Sequence, residues 1–353
     1  MKNLNNTPIT QSHSTPLPTR EGQGGGSSMR IVFMGTPEFA VESLKKLVEN
    51  KYNVVAVVTM PDKAVGRHHD TLQASPVKQY AVAQGIPVLQ PERLKDEGSV
   101  EELRSYKADL QVVVAFRMLP EVVWAMPPMG TFNLHAALLP QYRGAAPINW
   151  AVINGETETG VTTFFLDHDI DTGRIIHRVP SPISDTDTVG DVYDRLMYLG
   201  ADLVVKTVDD IAAGNVKTVD QKTLFPSQSL HPAPKLSREN TQIRWSQHTV
   251  KSAYDFIRGL SPYPGAWTTL RTADGKETQL KVFFAEKEPP TAEPDNNILH
   301  SSLVILHSSL AVRLRDGYLR LTDIQLAGKR RMSAADFLRG AHLEGAELVE
   351  IDE

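Results

Sequence analysis

The chain has 353 residues, 41% hydrophobic and 22% charged, which is ordinary for a globular protein and long enough for two packed domains. With 37 basic and 42 acidic residues the formal net charge is -5, so a nucleic-acid grip spread over a whole basic face is disfavoured and a polyanion must meet a local patch. There are no cysteines, which excludes disulfides, thiolate metal sites and cysteine nucleophiles and agrees with a reducing, cytoplasmic setting.

Residues 1–28 are rich in Thr, Ser, Gln, Pro and Gly without an apolar h-region, so they read as a disordered tail and not as a secretory signal. Folded sequence is expected from Met29, which would also suit a translation start. No apolar run approaches the roughly 18 residues of a membrane span.

Residues 29–34 form a short apolar run that ends in Gly35-Thr36-Pro37-Glu38-Phe39, the pattern of a buried strand, a tight turn and a helix with Pro37 near its start. A second apolar strand is expected over 53–60, a helix over 75–84 and a third strand over 110–116. A strand at 130–135 runs into a loop. A helix at 148–154, strands at 160–166 and 174–179, and a long amphipathic helix at 189–213 follow. Apolar strands alternating with helices predict a doubly wound α/β domain, with a mostly parallel sheet, over 29–214. Ligands in such sheets sit outside the carboxyl ends of the strands. Periodicity fails over 215–235, where Pro226, Pro232 and Pro234 mark a linker. Residues 236–353 then read as a smaller, mostly β domain: hairpins at 266–285 and 311–321, turning at Asp274-Gly275 and Asp316-Gly317, and one helix near 250–259.

The first glycine turn fails as a dinucleotide fingerprint, because only the first glycine of G-x-G-x-x-G is present and Glu38 would repel a phosphate. Asn133 and His135 are better candidates. Strand alternation puts both on one face with Leu134 opposite, and an amide beside an imidazole can hydrogen-bond an oxygen that turns negative in a tetrahedral intermediate. The structural alternative is an asparagine satisfying loop backbone beside a packed histidine. Asp167, Asp169 and Asp171 crowd three carboxylates into one turn, without EF-hand spacing. One of them could orient an imidazole, or all three could serve an ordinary polar turn. His68-His69-Asp70 has no partner at metal-ligand spacing and reads as a solvated loop, so no metal site is expected.

Taken together, Gly35-Thr36-Pro37-Glu38-Phe39, Pro61-Asp62, Ser75-Pro76-Val77-Lys78, the run from Asn133 to Pro140, Arg143-Gly144-Ala145-Ala146-Pro147, the run from Asn154 to Thr162 and Asp169-Ile170-Asp171-Thr172-Gly173 resemble the methionyl-tRNA formyltransferase family, over essentially all of 29–353. The resemblance implies 10-formyltetrahydrofolate as donor, initiator methionyl-tRNA as acceptor, and Asn133, His135 and Asp171 as the catalytic trio. It places the folate against Phe116, Arg117, Met118 and Leu119 and against Ala137, Leu138, Leu139 and Pro140. It makes 236–353 an OB-like β-barrel that holds tRNA, with Arg313 and Arg315 on one strand face and Lys329, Arg330 and Arg331 in a loop, aided by Arg67. With no run of membrane-spanning length, no membrane partner is expected, and a monomer is expected. The chain departs from the family at Ala136-Ala137, where glycine and serine are usual, at Arg117, where glycine is common, and at Arg67-His68-His69-Asp70, where the loop is usually more basic. The rival readings are a nucleotide-sugar amine formyltransferase and a non-catalytic tRNA-binding module.

Overall fold

The computed structural model describes residues 29–65, 71–224, 229–288, 303–306, 309–341, 343 and 345–350. The expected tail at 1–28 and the loop with Arg67, His68, His69 and Asp70 lie outside the described residues.

The first domain is built from β1 (Arg30–Gly35), α1 (Glu38–Glu49), β2 (Asn53–Val58), a small hairpin of β3 (Lys63–Val65) and β4 (Thr71–Gln73), α2 (Pro76–Ala83), β5 (Val88–Leu89), α3 (Glu97–Ser105), β6 (Leu110–Val114), α4 (Glu121–Trp124), β7 (Thr131–His135), β8 (Arg143–Gly144), α5 (Pro147–Ile153), β9 (Glu158–Phe165), β10 (Ile175–Pro182) and α6 (Val189–Ala212). Its main sheet has seven strands in the order β10-β9-β7-β6-β1-β2-β5. The strands from β7 to β5 pair in parallel, whereas β9 and β10 are antiparallel additions.

Alternation along β1 explains why its run is apolar throughout. Ile31 and Phe33 pack with Leu44 of α1 and Leu196 of α6, whereas Val32 and Met34 enter a second core with Val100 and Leu103 of α3. Each such side chain contributes about 1.5–3 kcal/mol on burial. Gly35 answers to packing: a Cβ there would sit 2.7 Å from the Ala40 Cβ and 2.9 Å from the Val114 carbonyl oxygen. Helix α2 starts where Ser75 accepts from the Lys78 amide at 3.1 Å, and α6 starts on a capping box of Thr188 and Asp191.

The second domain contains α7 (Val250–Gly259), β12 (Ala266–Arg271), β13 (Glu277–Lys287), β14 (Leu303–Leu306), β15 (Ser309–Leu314), β16 (Gly317–Leu326), β17 (Met332–Ser333), α8 (Ala334–Gly340) and β18 (Glu347–Val349), after β11 (Pro232–Ala233). Its strands form an antiparallel, nearly closed barrel ordered β14-β15-β16-β13-β12-β18, and the register of β13 against β16 shifts on both sides of Phe284, a bulge that bends the long strand. Phe256 and Ile257 of α7 fill its core with Leu280, Val282 and Leu319. Here the structure corrects the one-helix expectation, since α8 is a second helix, capped by the Ser333 hydroxyl on the Asp336 amide. Arg315 is also corrected: β15 ends at Leu314, so Arg315 lies in the turn and does not share a strand face with Arg313.

The two domains meet through α5 and α7. Asn149 donates to the Gly259 carbonyl at 2.9 Å, and buried Arg258 donates to the Ser184 and Asp187 carbonyls at 3.1 and 2.8 Å. Among its described residues, the 215–235 segment is anchored to the first domain. Ala233 and Pro232 pair with Gly144 and Arg143, and Gln221 is 2% exposed. Among the described residues, no helix is long and apolar enough to cross a membrane.

Candidate active site

Two loops leave the carboxyl ends of the central strands, 115–120 after β6 and 136–146 after β7; the 166–174 loop of the antiparallel β9–β10 hairpin, Gln221 and His231 each reach the second of them. Strand β7 supplies the polar pair. Leu134 is pinned on one face by α6, where a Cβ on Gly200 would come within 2.7 Å of the Leu134 Cδ2. Asn133 and His135 therefore point to the other face. Asn133 is half-buried, and no hydrogen bond joins its side chain to another described residue.

The His135 side chain is 6% exposed, with Nε2 2.8 Å from the Tyr142 carbonyl oxygen and Nδ1 3.7 Å from Asp171 Oδ2. A carbonyl only accepts, so Nε2 carries a proton and Nδ1 is the nitrogen left for chemistry. The neutral ring offers a lone pair there; protonated, it offers a donor beside a carboxylate.

Three carboxylates competed for this place, and geometry separates them. Asp167 accepts from the Thr172 hydroxyl at 2.7 Å and the Asp169 amide at 3.2 Å, closing its own turn, while Asp169 is exposed. Asp171 turns inward, its Oδ2 accepting from the Gly144 amide at 3.0 Å, with a left-handed backbone at φ 55°. Gly173 lets the loop lie against β9, since a Cβ would fall 1.7 Å from the Phe165 carbonyl oxygen. Ala115 and Tyr142 also hold positive φ, 47° and 59°, so three strained residues border the site.

Sequence reasoning passed over Tyr142 and Gln221. The Tyr142 amide donates to the His231 carbonyl at 2.7 Å and its hydroxyl to Glu156 at 2.6 Å. Burial, then the Glu156 contact, push this phenol well above its ordinary pKa, fixing it as a neutral donor. Gln221 joins Arg143, Asp171 and Gly173. A glutamine inside a proline-rich stretch carries no local signal of that duty. Thr162 is a further one: its hydroxyl donates to the Ala137 carbonyl at 2.6 Å and accepts from the Leu139 amide at 3.2 Å, shaping the loop after β7.

The residues expected against the folate divide. Leu119, Ala137, Leu139 and Pro140 are buried in the fold, Phe116 is half-buried and Met118 is 69% exposed at the rim. Leu138 packs towards Gly160 and lines a separate cleft with Glu158 and Arg178. Arg117 turns back to the Pro91 and Glu92 carbonyls at 2.5 and 2.8 Å, tying the loop after β5 to the loop after β6. Arg313, Arg315, Lys329 and Arg330 are exposed. Arg331 is exposed as well but paired, donating twice to Asp323 at 2.8 and 2.6 Å over the Phe283 ring, and Asp323 raises its pKa. A cleft of about 630 Å³ between the domains is lined by Lys235, Arg238, Lys281, Tyr263 and Trp267 and, among the described residues, by no acidic side chain.

Residues 29–208 match the family model described as formyl transferase and residues 235–342 that of the formyl transferase C-terminal domain. The methionyl-tRNA formyltransferase of Parabacteroides distasonis is 59% identical over 314 residues, covering 88% of this chain and 95% of that protein. Among solved structures, HypX from Aquifex aeolicus in complex with tetrahydrofolic acid aligns with TM-score 0.59 at 20% identity over 88% of this chain, which spans 47% of the HypX chain. WlaRD, a sugar 3N-formyl transferase, aligns with TM-score 0.57 at 18% identity over 86% of this chain and 100% of that one. At such identities the two structures speak for the fold alone. The full-length match to the Parabacteroides enzyme carries more, and on it the chain belongs to the methionyl-tRNA formyltransferase family.

Proposed function

We propose that this chain transfers the formyl group of 10-formyltetrahydrofolate to the α-amine of methionyl-initiator tRNA, with Asn133, His135 and Asp171 as catalytic residues. The reading is supported by the His135–Asp171 pair, with Asn133 on the same face of β7 as His135, in a chain 59% identical to a named methionyl-tRNA formyltransferase.

The amine nitrogen attacks the formyl carbon, and the carbonyl electron pair moves onto oxygen. The Asn133 amide donates to that oxygen, a contact worth about 2.7–4 kcal/mol of barrier. His135 Nδ1 takes the proton that the amine releases, and its N–H then adds a second donor beside the oxyanion. Collapse breaks the bond from carbon to the folate nitrogen, which receives the proton from His135. Asp171 stabilises the ring in its charged interval. No covalent enzyme intermediate is needed.

Phe116 and Met118 are proposed as side-chain contacts to the folate, with Arg117, Leu119 and residues 137–140 shaping its bed. Residues 29–214 would be the catalytic unit, 215–235 the connecting segment and 236–353 the RNA-holding unit. Arg67, Arg313, Arg315, Lys329 and Arg330 would contact phosphates, with Arg331 bracing their loop, and the cationic interdomain cleft suits the acceptor arm. The enzyme is proposed to act as a monomer in the cytoplasm.

The test supplies purified protein with 10-formyltetrahydrofolate and either methionyl-initiator tRNA or an amino-sugar nucleotide. Formylmethionine on tRNA is the expected product. Transfer to the sugar alone, or tRNA binding with no transfer, would overturn the reading.

A further inference from the structure

We infer that Gln221 is a positioning residue for the reaction, through its hold on Asp171; this rests on the function proposed above. The Gln221 amide nitrogen donates to the carbonyls of Asp171 at 2.9 Å and Gly173 at 2.8 Å, and its Oε1 accepts from Arg143 Nη2 at 2.7 Å and Nε at 3.2 Å. Both amide hydrogens and both oxygen lone pairs are thus used, in a side chain that is 2% exposed.

One of these carbonyls belongs to the residue whose carboxylate faces His135, and the other lies two residues further along the same loop. A left-handed aspartate is held only when its surroundings over-determine it. Asp171 has three restraints: its Oδ2 on the Gly144 amide, the close seat of Gly173 on β9, and the Gln221 clamp. The clamp comes from outside the α/β sheet, on the segment that leads to the second domain. Its other end, Arg143, adjoins Gly144, so Gln221 ties the loop bearing Asp171 to the loop that receives its carboxylate. Without it, the separation of 3.7 Å between His135 Nδ1 and Asp171 Oδ2 is no longer set from both sides.

Gln221→Glu keeps the volume and the Arg143 contact but points an acceptor at two carbonyls. Gln221→Leu removes all four hydrogen bonds at similar volume. Both are to be measured as the full chain by single-turnover transfer and by KM for each substrate, with thermal unfolding as the control for folding. A displacement near 1 Å in such a pair can cost up to roughly 10²-fold. We expect the single-turnover rate to fall at least tenfold in the Glu variant, and less in the Leu variant, with both KM values within about twofold of wild type. Folded variants with wild-type rates would overturn the assignment. So would a rise in KM at unchanged rate, or unfolding of both variants, which would show a purely structural duty. Wild-type protein that transfers no formyl group refutes the proposed function itself, before Gln221 is in question.

Discussion

Replacing Asn133 by alanine separates catalysis from folding more cleanly than any other change at this site. The side chain is half-buried and bonded to no described residue, so its loss leaves no partner stranded and removes little packing. Stability should change by less than about 0.5 kcal/mol. The barrier, by contrast, loses a preorganised donor worth about 2.7–4 kcal/mol. At about 1.36 kcal/mol per factor of ten, single-turnover transfer should slow roughly 10²–10³-fold. The assay is rapid-quench formylation of charged initiator tRNA at saturating folate, alongside a melting curve. A wild-type rate would refute the oxyanion role. A large fall in melting temperature would refute the claim that Asn133 holds nothing in the fold.

Three further outcomes follow from the same contacts. Arg258→Met should destabilise the fold by about 1–3 kcal/mol in chemical denaturation, because buried Asp255 keeps only its Lys251 partner and the Ser184 and Asp187 carbonyls lose their donor, and Arg258→Met with Asp255→Leu should recover only part of that. Arg330→Ala should raise KM for tRNA and reduce the salt slope of binding by about 1, while Arg331→Ala, which breaks the Asp323 pair, should mainly lower the melting temperature. Asp185 and Asp210 are held below the usual aspartate range, first by hydrogen bonds from Lys287 and Lys206 respectively. A carboxylate with a depressed folded pKa stabilises above its unfolded value, about 3.9, and that contribution is lost as pH falls through the folded value. Melting temperature should thus be level above about pH 5 and fall below about pH 4, and a profile still level at pH 3 would contradict the pairings.

Much of the frame was legible because burial on two faces leaves a strong mark. Strands such as β1 and β6 are apolar over most of their length since both sides meet a core, and that run is visible without coordinates. The common face of Asn133 and His135 follows from a period of two, which no tertiary contact can alter within a strand. The second helix of the barrel domain was also within reach: Ser333 and Asp336 stand at capping spacing, but α8 is only 7 residues and its apolar pattern is short.

Other features belong to the folded chain alone. Asp167, Asp169 and Asp171 are alike in sequence, and only the left-handed turn and the Gly144 amide select the third. Arg117 reads as a cation for a ligand until its guanidinium is seen closing on the Pro91 and Glu92 carbonyls. Gln221 acts over a separation of 50 residues by donating to backbone oxygens, and Tyr142 over 7 by offering its own carbonyl to His135, in positions that no local pattern encodes. Periodicity records which face of an element meets the core; which distant loop a polar side chain reaches is decided only when the elements pack.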